Sequence, residues 1–210
     1  MSTTLLFADL IEQFGFIPTW RVRIDPPPGT ASVRDVVRIH DRENRLCELV
    51  NGTLIEKSMG YEDSVIASAL LVCLGNFVNS QKLGIVTGEG GMLKLGRGLV
   101  RIPDVAFVSY ERLPGRRVPR APIPTLVPNL AVEVLSRANT SREMRQKLRD
   151  YFSAGVELVW YIDPRKHTIT VYTDCDQRTL LKESQTLTGG EVLPGFRVKV
   201  RDLFAQLSQE

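Results

Sequence analysis

Two short runs of this chain are apolar except for one carboxylate each. They are IPDVAFVS, which carries Asp104, and NLAVEVLS, which carries Glu133. Runs of this length, bounded by loop residues, read as core strands. A carboxylate in the middle of a buried strand is costly unless it is paired or bound to a cation. Two of them in neighbouring core strands therefore demand partners. Arginine and lysine are candidates, and so is a hard cation. An oxygen-only donor set suits magnesium, manganese or calcium rather than zinc. The competing reading is that each carboxylate caps a turn or pairs with an arginine. The pair together weighs toward the cation.

The surrounding pattern says what these strands belong to. Residues 4–14 have helical apolar spacing, and Pro26-Pro27-Pro28-Gly29 then breaks the chain, so residues 1–31 read as an N-terminal helical extension to a domain spanning 32–210. Residues 32–40 read as a helix with Ser32 as N-cap. Residues 46–57 carry a hairpin signal, with apolar segments flanking Asn51-Gly52, the pair favoured by a two-residue type I′ turn. Residues 61–82 read as one long helix that packs on a sheet. Residues 84–108 read as successive strands separated by glycine turns, and 109–128, with five prolines and several arginines, as a surface loop. The segment NTSREMRQKLRDYFSAG is a helix opened by a Thr140–Glu143 capping box and closed by Gly155. VELVWYID and TITVYT follow as strands, and residues 187–204 as a last strand with a short terminal helix. Helix, mixed strands, helix and strand hairpin together predict an α/β fold with a central mixed β-sheet and an additional β-hairpin.

Lys147 is the third chemical candidate. It lies three residues after Met144 and four before Tyr151, on the border of the helix's apolar face. From there its ammonium can reach back toward Glu133, although a lysine at such a position also snorkels into solvent.

Other chemistries find little support. The 27 Lys and Arg against 24 Asp and Glu leave a net charge of only +3 in 210 residues, which permits nucleic-acid binding without arguing for it. Cys47, Cys73 and Cys175 lack zinc-ligand spacing and read as reduced residues of a cytoplasmic protein. No secretory signal or membrane-spanning stretch is expected. His40 and His167 are isolated, and GxSxG is absent, so a Ser-His-Asp or Cys-His hydrolase is not supported. GEGGMLKLGRG lacks the GKS or GKT of a P-loop. Arg112, Arg116, Arg117 and Arg120 in the proline-rich loop are candidate phosphate contacts, with a solvated loop as the plain alternative.

The ordered set IPDVAFVS, NLAVEVLS, a capped helix carrying Lys147, Tyr151 and Gly155, then LVWYIDP resembles the Uma-two family of the restriction-endonuclease-like, PD-(D/E)XK, superfamily. ELVNGTLIE and TLTGGEVLPGFRVKVRDLF resemble it too, and the likeness covers roughly residues 32–207. It implies a central mixed sheet flanked by helices. It also implies that Asp104 and Glu133 are metal ligands and that Glu48 is a further ligand or water-orienting group. Leu135 stands where a Glu-x-Lys motif has its lysine, and Lys147 matches a catalytic lysine supplied from the following helix, which would serve the attacking water or stabilise the transition state. The implied activity is a magnesium- or manganese-dependent endonuclease acting on DNA, with a homodimer as a plausible form. An inactive nuclease fold that binds nucleic acid or other partners is the alternative. A hydrolase of another phosphate ester would share the same site.

Overall fold

A computed structural model describes residues 7–207. Residues 4–6 of the expected first helix and 208–210 of the expected domain lie outside the described residues. The first helices are α1 (Phe7–Gln13) and α2 (Val33–Glu43). Strands β1 (Cys47–Val50) and β2 (Thr53–Glu56) follow, then helix α3 (Tyr61–Gln81). Next come β3 (Gly84–Thr87), β4 (Leu93–Gly96), β5 (Leu99–Arg101), β6 (Val105–Ser109) and β7 (Leu130–Val134). Helix α4 (Ser141–Ala154) leads to β8 (Leu158–Asp163), β9 (Thr168–Tyr172) and β10 (Arg178–Lys182). The chain closes with β11 (Thr186–Gly189), β12 (Leu193–Lys199) and α5 (Val200–Phe204).

The central sheet has six strands in the order β10-β9-β8-β7-β6-β3. It is mixed, because β7 and β8 run parallel while every other pair is antiparallel. The β7–α4–β8 crossover makes that parallel pair, as a helix between strands requires. Side chains alternate across the sheet. Leu130, Val132 and Val134 of β7, with Leu158, Trp160 and Ile162 of β8, face a core built with α3 and α5. Ala131 of β7 and Val159 and Tyr161 of β8 face α4, which contributes Met144, Leu148 and Tyr151. Glu133 shares that α4 face by alternation.

The expected hairpin at 46–57 is present, with Asn51 and Gly52 both at positive φ, as a type I′ turn needs. It is more than an appended hairpin, however. It joins β5 and β4 in a separate sheet of order β2-β1-β5-β4. The strands expected within 84–108 therefore divide, β3 and β6 going to the central sheet and β4 and β5 to the smaller one. One face of the smaller sheet packs on Val36 and Ile39 of α2. The other meets Leu10, Phe14 and Ile17 of the N-terminal segment. The tail forms a two-stranded sheet, β11 with β12, rather than a single strand.

The N-terminal segment is bonded into the body. Arg21 is buried and pairs with Glu143 at 2.8 Å. Thr140, whose hydroxyl oxygen accepts the Glu143 N–H at 3.1 Å, donates its own proton to the Gly15 carbonyl at 2.6 Å. The cap of α4 thus also holds the arm. The expectation that no stretch reaches membrane-spanning length is corrected by α3, whose 21 residues are long and apolar enough by length and composition. Its Ile66, Leu70, Leu74 and Val78 recur at helical spacing and are fully buried against the central sheet.

Candidate active site

The seam between the two sheets is where the charged residues gather. Glu133 comes from β7, Asp104 from the residue just before β6, and Lys147 from the sheet-facing side of α4. Glu48 comes from β1 and Arg101 from β5, while Lys57 follows β2. Five are buried, Glu133 at 4%, Asp104 at 3% and Lys147 at 3% exposed, and Lys57 is half-buried with its side chain largely covered.

Lys147 is the hub. Its Nζ lies 3.2 and 3.1 Å from the two oxygens of Glu133 and 3.1 Å from Glu48 Oε1. The Tyr151 hydroxyl, one turn along α4, donates a short hydrogen bond to Glu133 Oε1. Glu48 accepts a second cation, Arg101 Nη1 at 2.7 Å, and the Ile102 N–H at 3.2 Å. Arg101 in turn grips Asp150 of α4. Asp104 accepts the Val134 N–H at 2.6 Å, which ties β6 to β7, and pairs with Lys57 Nζ at 2.7 Å. Lys57 also donates to the Ile102 carbonyl.

Burial and pairing pull these groups in opposite directions. Burial pushes Glu133 up, with Asp104 and Glu48 adding to the rise, and Lys147 offsets only part of it. Burial also opposes ionisation of Glu48, but Lys147, Arg101 and Lys57 together outweigh it and hold that carboxyl below the usual range. For Lys147 desolvation is the largest influence, yet Glu133 and Glu48 overcome it and raise the ammonium above its ordinary value. Lys147 is thus held protonated. The site carries neighbouring carboxylates whose proton affinities are driven apart, a pattern common where protons or cations are handled.

The structure brings Glu48, Asp104, Glu133 and Lys147 into one connected cluster. It sets the loop arginines apart. β6 runs from the Asp104 end to Ser109, so the loop that follows leaves from the far end, roughly 15 Å away. There Arg112 donates to the carbonyls of Pro128 and Gly155, each at 2.9 Å, and so clamps the loop to the end of α4. Arg116 lies over the Tyr110 ring. Arg117 and Arg120 are exposed.

Sequence reasoning missed Lys57 and Arg101, and read Tyr151 as core filling. The signal for Lys57 was the Asn51-Gly52 turn. Its two-residue register sets Glu48 opposite Ile55, and directly opposed residues share a face, so Lys57 two positions on shares it too. Tyr151 is both fully buried and bonded to Glu133.

Among the described residues, no three Asp, Glu, His or Cys side chains form a ready-made metal cluster. Instead the two lysine ammoniums stand against the carboxylates. The donors themselves are all oxygen, as a hard cation prefers. Lys57 also lines an open cavity of about 500 Å³ and adjoins, at Ser58, a second of about 330 Å³ floored by Leu135 and Ser136. The second opens beside the carboxyl end of β7.

A family model named Uma2 and described as "Putative restriction endonuclease" matches residues 33–201. The chain belongs to the Uma2 family. That matched span contains Glu48, Lys57, Asp104, Glu133 and Lys147. No curated protein matches the chain. Among solved structures, a protein from Anabaena variabilis titled as a putative nuclease belonging to DUF820 is similar, with a TM-score of 0.69 and 21% identity over 78% of this chain and 92% of that one. At that identity the likeness shows the fold: a nuclease-like α/β architecture with a mixed central sheet. Membership assigns the Uma2 chain to a family whose description is "Putative restriction endonuclease".

Proposed function

We propose that this Uma2 protein is a magnesium-dependent endonuclease, competent also with manganese, that hydrolyses DNA phosphodiester bonds at the seam cluster. The observation that supports it most is the convergence of Glu48, Asp104 and Glu133 with two lysines from separate elements, in an otherwise apolar setting. Asp104 and Glu133 would hold the cation, with Glu48 assisting. When bound, the cation would supply charge neutralisation at phosphorus and activation of water. Lys147, kept protonated by its two carboxylates, acts as a fixed positive charge and not as a base. It lets Glu133 and Glu48 remain close to each other. Lys57 is the cation that reaches an open cavity, so it is the one placed to orient water or offset charge on the phosphate. The three free cysteines are in keeping with a reducing, cytoplasmic setting.

The test is magnesium-dependent nicking of supercoiled DNA by purified protein and by Asp104→Asn and Glu133→Gln. Loss of cleavage on the order of a hundredfold or more in both variants is expected. Unchanged cleavage in either would remove that residue from the assignment. A second reading, a nucleic-acid-binding protein on an inactive nuclease fold, draws support from the lysines that already saturate the carboxylates. Calorimetric titration with manganese separates the two, because only the first requires binding that Asp104→Asn abolishes.

A further inference from the structure

The six-stranded sheet continues past the helix that covers it. α4 packs over β6, β7 and β8, while β9 and β10 extend beyond that core, with Tyr172 of β9 half-buried at its edge against Tyr161. Ile169 and Val171 of β9 turn to the opposite core, so Thr168, Thr170 and Tyr172 stand on the α4 side. Arg178 and Leu180 of β10 lie opposite Tyr172 and Thr170 in register and share that face. Leu180 is 54% exposed. Between this uncovered floor and the first turns of α4 runs a groove of about 430 Å³.

The rim of the groove is cationic. Arg145 on α4, Arg165 and Lys166 in the β8–β9 turn and Arg178 on β10 face a single acidic group, Asp163. That carboxylate is already engaged by the backbone N–H groups of Arg165 and Lys166 at 3.1 and 3.3 Å, and by the Lys166 ammonium at 3.4 Å. Arg145 and Arg178 are exposed and make no ion pair among the described residues. At one end the groove reaches Leu135 and Ser136, the residues that also floor the cavity beside Ser58. Its end at Leu135 is two residues along β7's course from the buried Glu133.

We propose that this groove is the track for a single-stranded nucleic-acid segment entering or leaving the seam cluster, an inference that rests on the polynucleotide reading above. A tyrosine and leucine floor offers faces to unpaired bases, and arginines on both walls meet the phosphates. A duplex, with its bases turned inward, would leave that floor unused.

The experiment is fluorescence anisotropy with a labelled oligothymidylate and, separately, a hairpin duplex, in EDTA so that cleavage does not enter. Wild-type protein is expected to prefer the single strand. R145A/R178A is expected to bind it on the order of tenfold more weakly, with the plot of log affinity against log salt shallower by about 1.4, since each single-strand phosphate contact contributes about 0.7. Both side chains are exposed, so an unchanged melting temperature keeps the comparison clean. Equal affinity and slope in wild type and variant overturn the track, as does tighter binding of the duplex or no binding of the single strand. Intact single-strand binding in a protein that never cleaves with magnesium sinks the endonuclease reading instead and leaves the track standing.

Discussion

The Lys147 ammonium bridges Glu133 and Glu48, 3.1 Å from an oxygen of each, with all three side chains buried. Replacing Lys147 by methionine leaves two buried carboxylates short of a partner. A stability loss of about 3–5 kcal/mol is expected. Urea denaturation checks it, and Lys147→Met combined with Glu133→Gln should recover part of the loss. A loss below about 1 kcal/mol would mean that water or another cation already serves these carboxylates.

The two lysines should separate by phenotype. Lys57→Met is expected to lower kcat by about 100-fold with KM little changed, as removal of one fixed charge from a reacting phosphate does. Lys57→Arg should restore part of kcat. If Lys57→Met instead raises KM alone, Lys57 holds substrate and takes no part in the chemical step.

The pH dependence of stability has a definite sign. Glu48 is held below the ordinary carboxylate range despite burial, so its contribution is present above about pH 4.5 and is lost as pH falls further. Thermal melting followed from pH 6 downward should show this acid limb. Glu48→Gln is expected to lower the baseline and flatten the limb. An acid limb of unchanged steepness would assign it to other carboxylates.

The N-terminal arm is expected to behave as part of the domain. Arg21→Met strands the buried Glu143 carboxylate, which also accepts the Thr140 N–H at the start of α4. A loss of about 3–5 kcal/mol should follow, read from the urea midpoint. Thr140→Ala should cost about 1 kcal/mol from its cap alone, and more through the lost bond to Gly15.

Much of the site could be seen in the chain itself. Asp104 and Glu133 stand out because each breaks an apolar run, and Lys147 follows from helical spacing to Met144 and Tyr151. The strand alternation that sets Glu133 and Leu135 on the α4 face is local and needs nothing else. What stayed hidden depends on pairing between distant segments. β1 meets β5 across about fifty residues, and β4 and β5 are too short to announce which sheet they join. Arg101 enters the cluster only through that pairing. β10 was missed because RTLLK is mostly exposed and shows no apolar alternation. The loop arginines looked close to Asp104 because sequence distance hides the length of β6.

Three cross-links of the cluster span the boundary between the sheets: Lys57 to Asp104, Glu48 through Lys147 to Glu133, and Arg101 to Asp150. Neither sheet holds a complete set. A nascent or partly melted chain therefore presents scattered charges and no working centre. Under the nuclease reading proposed above, activity requires the two sheets to be docked on one another.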